Sequence, residues 1–195
     1  MTYMTTAGIK LRPVQREPRQ NRFCGPAVVS ALLDVDTAQA ARLIRRESGH
    51  RQVTGTSYRD LRRTLYRAGV DTEPIPWSLS EAGGLSRHEH YGPEPEPARR
   101  PTLAQWLRIM TSWRTRGRVF LLVAGNHWCL VSGRRYVCGI TQQIVSIRDT
   151  KIKRRSRVSG AWEIIPRDSQ RECTPWPSDD PDFQNWSYLA SEDAR

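Results

Sequence analysis

Residues 27–33 read Ala-Val-Val-Ser-Ala-Leu-Leu and follow Cys24-Gly25-Pro26. Proline fits the first turn of a helix, where its missing N–H costs nothing. The segment therefore predicts a helix opening near Cys24. Its side chains are small or apolar all the way round, so no face suits water. Such a helix must lie at the centre of the fold, with the rest of the chain packed around it. The chain has 195 residues, enough to bury a core without disulfides.

The flanking pattern says what surrounds that helix. Asp36 or Thr37 caps a second helix over 38–46, with Ala41, Leu43 and Ile44 on its apolar side. Ser57 and Asp60 form a capping pair for a third over 58–67, and Gly69 is its stop signal. Thr102 caps a fourth over 103–113, with Leu103, Trp106, Leu107 and Met110 at helical spacing. The periodicity then changes. Residues 119–123 are a continuous apolar run, the mark of a buried strand, and further strands are expected at 127–131, 135–138, 144–147 and 158–165. Helices first and strands last predict an α+β domain with an antiparallel sheet.

Three segments are expected: a basic, irregular N-terminal arm over 1–22, the α+β domain over 23–167, and an acidic tail over 168–195 with Pro175, Pro177, Pro181, Trp176 and Trp186. The Pro- and Gly-rich stretch 70–100 reads as a long loop. Net charge is +11, unevenly placed: the tail carries −5 and residues 1–167 carry +16. Arg-rich clusters at Arg45-Arg46, Arg62-Arg63, Arg99-Arg100 and 151–157 suit nucleic acid if they share one face, and a solvated surface otherwise. No apolar run reaches the length of a membrane-spanning helix, and no secretory signal is visible, so a cytoplasmic protein without membrane contact is expected.

Cys24, Cys129, Cys138 and Cys173 include no close pair, so a structural zinc site is not expected. His88-Glu89-His90 alternates without a third ligand and reads as a solvated loop. Cys24 is the sharpest chemical candidate. A thiol in the first turn of a helix meets the positive end of the dipole, which favours thiolate. A nucleophilic thiolate needs a base. Of His50, His88, His90 and His127, only His127 sits on a rigid element, at the start of a strand.

The segment Gln20-Asn21-Arg22-Phe23-Cys24-Gly25-Pro26-Ala27 resembles the nucleophile region of papain-like cysteine peptidases, nearest to the bacteriocin-processing double-glycine type. Gly125-Asn126-His127-Trp128-Cys129-Leu130-Val131, followed by Gly133, resembles the histidine strand of the same group. The layout over about 15–165, with Val53-Thr54-Gly55-Thr56 and Pro101-Thr102-Leu103 before helices, resembles small phage-encoded proteins. The resemblance implies a papain-like fold, Cys24 as nucleophile and His127 as general base. It also implies an Asp or Asn on the strand after the histidine, and a Gln six residues before the cysteine as oxyanion donor.

This chain departs from both. No carboxylate or amide stands near Cys138-Gly139; Asp149 is the nearest later acid and takes the third place as candidate, with Gln142 and Gln143 as others. The Gln position is Pro18; Gln20 and Asn21 lie closer to Cys24 and Gln15 further away. The expected function is acyl transfer on a peptide or amide, with no cofactor. A catalytically silent binding or virion-associated domain, and a basic nucleic-acid-associated protein, are the other readings.

Overall fold

The structure is a computed structural model that describes residues 9–16, 23–75, 100–114 and 117–167. Helix α1 runs Cys24–Leu33, and every residue from Gly25 to Leu32 is buried. It ends at Asp34 in the left-handed conformation, φ 60°. Helix α2, Thr37–Ser48, starts where the sequence signals it: the Asp36 carboxylate accepts the Gln39 N–H. Helix α3, Tyr58–Arg67, is capped by Ser57, whose Oγ accepts the Asp60 N–H. Thr102 and Gln105 close a reciprocal capping box on α4, Leu103–Ile109. A short helix α5, Thr111–Arg114, follows.

Strands are β1 (Val70–Pro74), β2 (Val119–Ala124), β3 (Trp128–Ser132), β4 (Arg135–Cys138), β5 (Val145–Ser146) and β6 (Val158–Pro166). They form one sheet in the order β1-β6-β2-β3-β4-β5, with every pairing antiparallel. The α+β class and antiparallel sheet stand as expected. The stretch expected to be loop from residue 70 instead opens with β1, an edge strand whose alternating burial comes from Val70 and Thr72. It is legible only through its partner: Val70 pairs with Pro166 and Pro74 with Trp162. The rest of that stretch, 76–99, with His88 and His90, lies outside the described residues, as do 1–8, 17–22 and the tail from 168.

Strands β2 and β3 are almost wholly apolar because each sheet face meets a different layer. Val119, Leu121, Trp128, Leu130, Val137, Trp162 and Ile164 pack with α1, α2 and α3. Phe120, Leu122, Cys129, Val131, Tyr136 and Cys138 point the other way, toward Leu103, Trp106, Leu107 and Met110 of α4 and the residue after it. Residues 9–16 pack on the body: Leu11 and Val14 enter the core beside α1.

One residue of the second layer is polar. Arg114, 4% exposed, donates from Nε and Nη2 to the Leu107 carbonyl, 3.1 and 2.6 Å, and from Nη1 to the Gly133 carbonyl. It satisfies carbonyls at the end of α4 and at the β3–β4 turn together, locking that turn in place. Gly133, at φ 56°, supplies the conformation the turn needs.

Candidate active site

Gly125, Asn126 and His127 connect β2 to β3, and the first two make the turn. Gly125 and Asn126 both have positive φ, 58° and 57°, and the Ala124 N–H donates to the His127 carbonyl at 3.0 Å. This is the tight hairpin that Gly and Asn favour, its twist matched to the strands. It fixes His127 as the first residue after the turn, at one end of the sheet. A Cβ on Gly125 would also press on the Ser156 side chain, so the glycine answers a packing need as well.

Cys24 reaches the same place from α1. The N-cap residue Phe23 makes no side-chain cap, which leaves the first-turn N–H groups of the helix open toward the thiol. Gly25 lets the helix start press against Thr56, whose side chain occupies the space a Cβ would need. The Thr56 carbonyl in turn accepts the Trp128 indole N–H at 2.9 Å. Loop, helix start and histidine strand are thus tied together around Cys24.

The electrostatics follow from this proximity. Burial works against a Cys24 thiolate, but the His127 ring, the Trp128 backbone N–H and the charge of the ring outweigh it. The thiol is held below its ordinary value. Burial likewise opposes an imidazolium, yet the thiols of Cys138 and Cys24 push His127 up to about 9. For Cys138, burial is outweighed by His127, by a Thr141 backbone N–H and by Tyr136, and the thiol falls to about 7. Cys129, fully buried one strand over, goes the other way, up to about 12. The ring and the two thiols thus favour one another's charged forms. His127 Nε2 itself is buried with no hydrogen-bond partner among the described residues.

The structure brings Cys24 and His127 together. It does not bring Asp149 to them. The Asp149 carboxylate accepts the Lys151 N–H at 2.8 Å and shapes its own turn after β5. The groups acting on the His127 ring are thiols instead. Gln142 sits in a turn, its carbonyl accepting the Val14 N–H and its N–H donating to the Cys138 carbonyl; Gln143 donates from its own N–H to Thr141. Gln15 makes its side-chain bond to Asp34, at the far end of α1 from Cys24. Pro18, Gln20 and Asn21 lie outside the described residues.

Cys138 is the site residue that sequence reasoning passed over, because the expected chemistry there was a carboxylate or amide. The signal was present: a two-residue turn at Gly133-Arg134 sets Ser132 opposite Arg135 and Cys129 opposite Cys138.

On the face carrying Cys138 the sheet end opens into a cleft of about 210 Å³. His127, Cys138 and Tyr136 form part of its wall, Leu103 and Ile140 add apolar surface, and Lys151 and Lys153 line it with no carboxylate among its lining residues. Among the described residues no cluster of His, Cys, Asp and Glu is placed to hold a metal ion, and no helix is long and apolar enough to cross a membrane. No protein-family model matches the chain, and comparison with curated proteins and with solved structures gives no match.

Proposed function

We propose that the chain is a papain-like cysteine peptidase or amidase in which Cys24 is the nucleophile and His127 the general acid and base. One observation carries this reading: the His127 ring couples to a thiol in the first turn of the central helix and holds it below its ordinary value. Cys129, fully buried and not coupled to the ring, shifts the other way.

The chemistry runs as acyl transfer. The Cys24 thiolate attacks a carbonyl carbon, and charge gathers on the carbonyl oxygen. The backbone N–H groups of Cys24 and Gly25, which have no acceptor inside the helix, are placed to receive that charge. As the C–N bond breaks, His127 gives its proton to the leaving amine, leaving a thioester on Cys24. His127 then takes a proton from water as the water oxygen attacks the thioester, and the thiolate departs.

The substrate is a polypeptide or peptide-like amide. Phe23, 43% exposed and next in sequence to Cys24, and Ile140, 53% exposed at the cleft, offer apolar contact. Lys151 and Lys153 favour an acidic side chain or a carboxylate in the cleft.

The test is digestion of a mixed peptide library, read by mass spectrometry. Cleavage is expected, enriched where an acidic residue lies near the broken bond. The double variant K151E/K153E is expected to lose that enrichment by about tenfold while still cleaving, since reversing nearby charges is worth on the order of 1–2 kcal/mol. A library left intact across the pH range 6 to 9 would refute the reading and favour a binding role for the same fold.

A further inference from the structure

We propose that Cys138 is the positioning residue of the site: its sulfur faces the His127 imidazole and fills, as a thiolate, the place a carboxylate would take. This rests on the reading of Cys24 and His127 as nucleophile and base. A general base is generally oriented by a third group, and the sequence offers no acid that reaches this one.

The register places the two side chains together. Cys129 pairs with Cys138, so His127, two residues before Cys129, lies diagonally across from Cys138 on the same face. Diagonal neighbours on antiparallel strands are about 7–8 Å apart at Cα, within reach of an imidazole. Both line the same cleft. Cys24 approaches the ring from the α1 layer and Cys138 from the α4 layer, so the ring sits between two sulfurs delivered by opposite faces of the sheet.

The surroundings of the sulfur suit an anion. The Ile140 N–H donates to Cys138 Sγ at 3.4 Å, and the Thr141 hydroxyl lies 3.9 Å from it. The same hydroxyl oxygen accepts the Cys138 N–H at 3.1 Å, which fixes the turn that carries these donors. Donors converging on the sulfur of a residue that is only 2% exposed replace the water a thiolate would lose. Tyr136 adds a further contact.

The charges facing His127 come from every element around it. Cys24 on α1 and Cys138 on β4 favour the imidazolium. Lys151 and Lys153, across the cleft, oppose it. Tyr136 and Cys129 stay neutral near pH 7, both pushed up by burial. Removing the Cys138 charge therefore removes one of two anions holding the ring protonated, and no other described group replaces it.

The experiment is a titration of the histidine rings by NMR on the full chain, in wild type, C138S and C138D. Serine keeps the size and hydrogen bonding of the thiol but stays neutral; aspartate restores the charge. Wild-type His127 is expected to titrate near 9. In C138S its midpoint is expected to fall by about one unit or more, and in C138D to return toward the wild-type value. A packing role would not produce recovery by a charged residue of different shape. A His127 titration unmoved in C138S, or a C138D protein of native near-ultraviolet circular dichroism that titrates like C138S, overturns the proposal. If C138D does not fold, the C138S titration alone decides. A His127 midpoint that moves with Cys138, in a protein whose Cys24 reactivity ignores His127, would keep the His127–Cys138 coupling and discard the peptidase reading, so the two failures are distinct.

Discussion

Cys24→Ala is expected to lower peptide cleavage by at least about a thousandfold, more than 4 kcal/mol in transition-state stabilisation, while leaving the fold intact. The size follows from what the thiol does. It forms the bond that splits the reaction into two easier steps, and no neighbour takes over: Cys129 is fully buried with its thiol pushed up to about 12, and Cys138 is 2% exposed with its sulfur accepting the Ile140 N–H. Without the nucleophile, binding and the helix-end N–H groups retain a residual acceleration over water. The fold is expected to tolerate the change because Cys24 is half-buried at the first turn of α1, where alanine is a good helix residue. The check compares kcat/KM on a peptide found in the library digest, with thermal melting alongside. A loss of less than about tenfold would place the chemistry elsewhere.

The second large effect is on stability. Phe120→Ala is expected to cost about 3–5 kcal/mol, a large share of the roughly 5–15 kcal/mol that holds a domain together. Phe120 is fully buried and is among the largest buried side chains. Its ring meets Trp106 edge to face, with centroids 5.6 Å apart, which joins α4 to the middle of the sheet. The β2–β3 and β2–β6 pairings hold the backbone on both sides, so the void has little room to collapse. Urea denaturation followed by tryptophan fluorescence measures the change. A cost below about 1 kcal/mol would mean the α4 layer is not packed against the sheet as described.

How much of this was legible beforehand differs by element, for physical reasons. The helix starts were readable because capping is local: Asp36, Ser57 and Thr102 each announce their helices within three residues of sequence. Strand β2 was readable because burial on both faces leaves an unbroken apolar run, and β4 because the Gly133 turn announces it. Strand β1 was not, since Val-Asp-Thr-Glu-Pro has one apolar residue ahead of its proline and is ordered by β6, nearly a hundred residues away. Arg114 was missed for a like reason: nothing local says that a guanidinium will be buried against two carbonyls.

At the site, the helix dipole argument singled out Cys24, and the Gly125-Asn126 turn made His127 rigid. The third partner was sought by side-chain type rather than by register, which led to Asp149 and away from Cys138. The Asp149 carboxylate lies three residues past a two-residue strand and is spent on the Lys151 N–H. Register arithmetic from the Gly133 turn reaches Cys138 directly, but only once a thiol is admitted as a group able to face an imidazolium.

The central claim is that His127 activates Cys24. The most direct measurement is the rate of Cys24 alkylation by iodoacetamide against pH, in wild type and in His127→Ala, with mass spectrometry separating the thiols. The signs are set by the charge pairing. His127 is expected to stay protonated up to about 9, and while it does so it favours the Cys24 thiolate. The wild-type rate is therefore predicted to reach half its plateau below the free-thiol value of about 8.5, and in His127→Ala to move to or above that value, since burial alone raises a thiol. A half-plateau pH that is ordinary in the wild type, or that does not move when the ring is removed, would contradict the account.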